Sequence, residues 1–421
     1  MDEIQEFKNI QIRETYVNKS LNPNTALHTE LYSPVYSCYD TYKHLMHLRG
    51  NRTPVRQEFT PKTDNSNDIE IIDTPLLWCG TVHPHYGHFL CENISRIAVY
   101  KESKIKGKLC FSVQKQDQKI NYWFWQIIEH FGYSKKDIFI VDKPIIAKTL
   151  YVTPQNEMLG QIEFTSEYYL DLLDKNYPSK PLSEKKGIVY ISRSKLPAIN
   201  CLLGEDYLEF YFKKCGAKIV HPQEISINEQ LEIYNSARCI IMLEGSAYHT
   251  FQLLGRALGD IMVIERRSHN GNFHWCRSFI EPRCNSYTFY TDYNEGGGEN
   301  YLKTITQKNN TILTQCKTKI YNYTKMMKDI MDVVKSIDES IPDVKISKSE
   351  YTKFMQDDYI KYLKSEAEKI NEIEKREIIP KVKTINKSIP NFEIPVFKKT
   401  MSYNDFKNFI KSEVNKINNV S

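Results

Sequence analysis

Nowhere in the 421 residues is there an unbroken apolar run of the roughly 18 residues that a membrane-spanning helix needs. The opening residues, Met1-Asp-Glu-Ile-Gln-Glu-Phe-Lys8, lack the basic and apolar regions of a secretory leader, so export is not expected and the chain reads as cytoplasmic. Its ten cysteines include no Cys-x-x-Cys pair, which removes zinc ribbons and thioredoxin-like motifs and leaves reduced thiols as the simplest account. No His-Glu-x-x-His occurs either, so the commonest zinc-protease motif is missing. Nor is there a strong charge of one sign. The net charge is +5, and the stretch from Lys361 to Ser421, with 13 basic against 8 acidic residues, carries all of it. Such a tail reads either as a solvated helical face or as a peripheral contact with anionic lipid at the inner face of a membrane. Nucleic acid is not expected as a partner.

With 41% hydrophobic and 26% charged residues the chain has the composition of an ordinary globular protein. It is too long for one core, and the pattern divides it into three parts. Residues 1–178 end in an alternation of strands and helices, with apolar runs at 75–79, 108–113, 137–141 and 148–152 and helical periodicity at 85–100 and 122–131. The Pro- and Lys-rich stretch 178–187 has the composition of a linker. Over 187–300 the alternation resumes, with strands at 187–192, 217–220, 239–243 and 260–265 and helices at 205–214 and 226–237, the second opened by the capping box Ser226…Glu229. From 301 to 421 the pattern predicts long charged helices. Alternation of this kind implies α/β architecture with mainly parallel sheets. The cluster Trp123-Phe124-Trp125 reads as core in its helical setting, with a sugar platform as the alternative.

The chain is organised around Arg238-Cys-Ile-Ile-Met-Leu-Glu-Gly-Ser-Ala-Tyr-His249, which reads as strand, turn and helix. Gly245 allows close approach of a ligand to the backbone, Ser246 is positioned to cap the helix, and the unpaired N–H groups of Ser246 and Ala247 carry partial positive charge toward a phosphate. Arg193 and Lys195 follow another strand's carboxyl end, where ligands gather in open α/β sheets. Basic side chains beside a helix start suit a nucleotide diphosphate without a metal. Glu265 ends the next strand and is placed to accept from ribose hydroxyls.

On an ideal helix, at about 100° per residue, His85, His88, Glu92 and Arg96 fall within roughly 80° of one another, opposite Leu90, Ile94, Ile97 and Ala98. One reading is a cleft-facing row in which a histidine or Glu92 takes a proton and Arg96 holds an anion. A second is a solvated face with an i,i+4 Glu92/Arg96 pair. A third, weaker reading uses His85, His88 and Glu92 as zinc ligands of a hydrolase.

The ordered set His85-Tyr-Gly-His88-Phe-Leu-x-Glu92-x-x-x-Arg96, Ile191-Ser-Arg193 with Asn200, Gln230 through Ala237, and Glu244-Gly-Ser-Ala247 resembles glycosyltransferase family 61 over roughly residues 75–268. The resemblance implies two Rossmann-like domains facing a cleft, the GT-B architecture. It also implies an inverting transfer from a nucleotide sugar to a glycan or lipid-linked acceptor, without cofactor or metal, and bacterial capsular or surface polysaccharide synthesis as the setting. By position, Arg193, Lys195, Glu244, Gly245, Ser246, Ala247, His249 and Glu265 would hold the donor. His88 would act as base, with Glu92 orienting it, His85 in reserve and Arg96 on the acceptor. Glu244 stands where many relatives carry His. The alternative in a different class is a non-catalytic nucleotide-binding or scaffold protein.

Overall fold

Strand β4 (Leu76–Thr81) is buried at every position, as a run without alternation should be when both faces of a sheet are covered. In the computed structural model, which describes residues 4–12, 69–82, 84–113, 119–157, 165–195, 205–264 and 274–290 and a few short pieces elsewhere, β4 lies inside a seven-stranded sheet. The other members are β1 (Gln5–Ile12), β2 (Leu31–Tyr32), β3 (Glu70–Ile72), β5 (Lys108–Ser112), β6 (Ile138–Val141) and β7 (Ile145–Val152). Their order is β2-β1-β7-β4-β5-β6, with β3 also paired to β7. The strands β7, β4, β5 and β6 run parallel along this path, whereas β1 is antiparallel to β7 and β2 to β1. The register of β4 against β5 slips between Trp78 and Gly80, where Gly80 takes φ 101, a conformation that disfavours any side chain.

After that bulge the chain enters α1 (Tyr86–Ser103), then β5, α2 (Tyr122–His130), β6 and β7, and crosses through α3 (Glu167–Asn176) to the second sheet. The second sheet contains β8 (Ile188–Ile191), β9 (Lys218–Val220), β10 (Cys239–Leu243), β11 (Leu258–Ile264) and β12 (Cys284–Tyr290), all parallel in the order β9-β8-β10-β11-β12. That order reverses direction between β8 and β10, the switch point at whose carboxyl ends open α/β sheets bind ligands. Helix α4 (Glu205–Lys214) joins β8 to β9, and α5 (Ile227–Ser236) joins β9 to β10. The expected capping box is formed: Glu229 N–H donates to Ser226 Oγ at 3.2 Å and Ser226 N–H to the Glu229 carboxylate at 2.8 Å.

One hydrophobic core is shared by the two sheets, containing Leu77, Phe89, Ile94 and Phe111 with Ile191, Tyr234, Ile240 and Phe251. A smaller cluster, with Phe7, Ile10, Trp78 and Leu150, seals β1 onto the first sheet. Phe124 is fully buried with its ring 5.0 Å from Phe89 and 5.2 Å from Phe111, so the aromatic cluster of α2 serves the core.

One expectation is refined and another corrected. The stretch 178–187 joins the two halves, as a linker does, and is hydrogen-bonded to the second one: Asn235 Nδ2 donates to Pro178 O at 3.1 Å, Lys180 N to Asn235 Oδ1 at 3.0 Å and the buried Lys185 Nζ to Ala257 O at 2.8 Å. Burial lowers Lys185 to about 8. Its composition is that of a linker because its side chains still meet solvent along most of its length. A continuous helix from Tyr301 is also not formed, since Tyr301–Lys303 pairs antiparallel with Lys317–Lys319, two segments rich in Tyr, Thr and Lys with no helical start signal. The helices expected over 347–378 lie outside the described residues. Among the described residues no helix is long and apolar enough to cross a membrane.

Candidate active site

The turn after β10 and the loop after β8 meet at the switch point. Arg193 lies directly over the backbone of Gly245, so that a methyl group on Gly245 would sit 2.6 Å from Arg193 Nη1. A side chain at 245 would displace the guanidinium from this position, whereas the φ of 177 at Gly245 is ordinary extended backbone. No carboxylate among the described residues forms an ion pair with Arg193, and its buried Nε has no hydrogen-bond partner there. A buried guanidinium atom without a partner is costly, so this arrangement suits an incoming anion.

Behind the arginine is a built wall. The Arg193 backbone N–H donates to Glu205 Oε1 at 2.5 Å, Ser192 Oγ to the same oxygen at 3.2 Å, and Ser192 and Ser194 both donate to Glu209. Burial pushes the Glu205 carboxyl up to about 7, against the Arg193 charge and the two donors, which lower it. Lys195 does not share Arg193's availability: it is exposed and paired with Glu224 at 2.8 Å. The segment after Gly245 also departs from expectation. It is a 3-10 helix, Ser246–Leu253, with Gly245 at its cap position and no side-chain cap bond, so Ser246 is the first helical residue rather than the cap. Ser246 and Ala247 remain half-buried at its start, while Glu244 is buried and its N–H donates to Ile264 O at 2.9 Å. Glu265 and Asn200 lie outside the described residues.

Helix α1 approaches this segment through its first turn. A methyl group on Gly87 would fall 2.4 Å from His249 Cδ2, so the imidazole rests on the bare helix backbone. One residue earlier, the Tyr86 hydroxyl is 2.7 Å from Thr250 Oγ1. His88, a quarter exposed, donates from Nδ1 to Glu92 Oε1 at 2.9 Å, and the Glu92 side chain is only 2% exposed. A histidine held through Nδ1 by a buried carboxylate presents Nε2 as a proton acceptor, the arrangement of a general base. His85 is exposed at the helix cap, its ring 5.1 Å from that of His88.

The expectation of an open polar face on α1 is therefore corrected at two positions. Arg96 is fully buried, with Nε donating to Thr153 O at 2.8 Å, and it stands inside the fold rather than at an acceptor. Glu92 is likewise interior. Periodicity found the polar residues; it had no means of showing that both sides of the helix are covered. The zinc reading fares no better, since among the described residues no three His, Cys, Asp or Glu side chains converge as a metal site.

A buried polar chain joins the two halves beneath these groups. Arg283 Nη1 is 2.8 Å from Glu157 Oε1, with both side chains 0% exposed. Gln252 Nε2 donates to Glu157 Oε2 at 2.9 Å, which turns Gln252 Oε1 toward His249 Nδ1 at 2.8 Å and Cys91 Sγ at 3.2 Å. Because Gln252 Oε1 only accepts, His249 must carry its proton on Nδ1. His249 thus belongs to the joint between the halves, although the sequence places it beside the donor turn. Glu157, Gln252, Arg283 and Cys91 were not singled out from the sequence. They are scattered over almost 200 positions, and no local spacing connects them.

The protein is a mixed α/β structure with parallel sheets, in which Arg193 and Gly245 meet at the switch point of the second sheet and His88 is held by the carboxylate of Glu92. Residues 86–254 match the model of the family described as Glycosyltransferase 61, a span that runs from the first turn of α1 to the end of the 3-10 segment. This part of the chain belongs to glycosyltransferase family 61, and the protein is a glycosyltransferase. No curated protein matches the chain significantly.

Proposed function

We propose that the protein is an inverting glycosyltransferase of GT-B type, in which the half around 187–300 binds a nucleotide sugar and the half around 1–178 presents the acceptor. The observation that carries this reading is Arg193 lying over Gly245, in no ion pair among the described residues and with its buried Nε lacking a hydrogen-bond partner there. In the reaction an acceptor hydroxyl attacks the anomeric carbon from the face opposite the leaving group. His88 Nε2 takes the hydroxyl proton, and the buried Glu92 stabilises the imidazolium that forms. The bond to the diphosphate breaks as the new glycosidic bond forms, and the negative charge gathers on the departing diphosphate. Arg193 and the N–H groups at Ser246 and Ala247 neutralise it, so no metal is called for.

The acceptor is a glycan or lipid-linked glycan, and surface polysaccharide synthesis is the setting that suits such a transferase. The basic excess carried by residues 361–421 meets anionic lipid on the cytoplasmic side. Calorimetric titration with nucleoside diphosphates and nucleotide sugars tests the donor assignment. Arg193→Ala should weaken diphosphate binding by about 1.5 to 3 kcal/mol, the range for a charge-assisted contact. Undiminished affinity in a folded variant would place the donor elsewhere.

A further inference from the structure

The loop after β9 carries polar groups that the reaction above does not use. His221 and the short turn Pro222–Glu224 follow β9 at the same sheet edge as Arg193. The two loops are tied together: Ser192 N–H donates to Val220 O at 2.8 Å, Lys195 pairs with Glu224 at 2.8 Å, and Glu209 touches Ser192, Ser194 and, at 3.6 Å, His221 Nε2. Within this small region four buried polar side-chain atoms have no hydrogen-bond partner among the described residues. They are Arg193 Nε, His221 Nδ1, and both Nε2 and Oε1 of Gln223.

The Gln223 amide is the telling case. Folded proteins seldom bury both ends of a carboxamide without partners, because each end gives up water for nothing. The turn is tied down by other groups, since the backbone carbonyl of its neighbour Pro222 accepts from Gln230 Nε2 at 2.9 Å. A carboxamide presents one donor and one acceptor side by side, which matches the hydrogen-bonding edge of a nucleobase. The neighbouring Arg193, whose buried Nε has no hydrogen-bond partner among the described residues, suits the phosphates of the same molecule. We propose that Gln223 holds the base edge of the nucleoside diphosphate donor and sets base preference, with His221 as its neighbour at that edge. The proposal rests on the donor reading given above, and it goes further by assigning the base to the loop after β9.

The test compares two probes on the full-length protein, inorganic pyrophosphate and a panel of UDP, GDP, ADP and CDP, by titration calorimetry. Gln223→Ala should weaken the preferred nucleoside diphosphate about tenfold, the loss of one net hydrogen bond, while pyrophosphate binding is unchanged. Arg193→Ala should weaken both probes. Gln223→Glu replaces the donor by a second acceptor, so it should move preference toward GDP, whose base offers two adjacent donors on its Watson–Crick edge. A purely structural glutamine would not reorder the panel. If nucleoside diphosphates bind, Arg193→Ala weakens them, and both Gln223 variants leave affinity and base preference as they were, the base lies elsewhere and this inference is overturned. If Arg193→Ala is also silent, it is the donor reading itself that fails.

Discussion

Replacing Arg283 by methionine breaks a fully buried ion pair outside the site. The guanidinium is fully enclosed, contacts Glu157 at 2.8 Å, donates from Nε to Leu254 O at 2.8 Å, and lies 5.9 Å from the centre of the Tyr169 ring. Methionine fills comparable space but strands the Glu157 carboxylate, whose remaining support is Thr165 Oγ1 at 2.6 Å and Gln252 Nε2 at 2.9 Å. Breaking a buried pair from one side costs about 3 to 5 kcal/mol. At about 2 to 4 °C per kcal/mol for a unit of this size, Tm should fall by roughly 6 to 20 °C. The Glu157→Gln/Arg283→Met double variant removes both charges and should be more stable than Arg283→Met alone. Urea unfolding of wild type, both single variants and the double gives the coupling energy as a double-mutant cycle. A loss below about 1 kcal/mol for Arg283→Met, with additive single effects, would refute the claim that this pair is a buried joint between the halves.

Two further outcomes concern the site. His88→Ala should lower kcat by about 10²- to 10⁴-fold with donor affinity intact, and Glu92→Gln by less; because the two act as one unit, the double variant should be little worse than His88→Ala, and additive losses in steady-state kinetics would contradict the dyad. Glu205 gives a pH signature: the folded carboxyl keeps its proton up to about 7, well above its ordinary range near 4.5. Between those values the folded state binds more protons than the unfolded one, so stability from this group is fully present at the acid end and is lost as pH rises toward 7. Glu205→Gln should flatten that limb in urea midpoints measured across the range, and an unchanged slope would show that the carboxyl titrates normally.

Local signals in the sequence were sufficient wherever the structure is local. The helix expected over 205–214 is α4 residue for residue, and Ser226 with Glu229 opens α5 because a capping box involves only four neighbouring positions. The strand 239–243 is β10, and the meeting of Arg193 with Gly245 was legible because both follow strand ends. What periodicity did not carry is which surface covers which. Tyr86, Gly87 and Cys91 of α1 contact Thr250 and His249 across more than 150 positions, and Glu92 and Arg96 are enclosed by the same packing. The 3-10 character of Ser246–Leu253 was hidden for the same reason, since tertiary packing, not propensity, decides so short a helix. Gln223 had no signal at all in the sequence, because its distinction is an absence of partners in three dimensions.

The contact between Gly87 and His249 makes two distant positions a single steric decision. A methyl group at 87 would fall 2.4 Å from the imidazole ring, so any enlargement there requires the ring at 249 to move or to be replaced by a smaller side chain. The two halves are therefore not freely exchangeable parts. A chimera whose first half brings a larger residue at 87 and whose second half brings a ring at 249 will clash at this contact, whatever donor or acceptor each parent prefers.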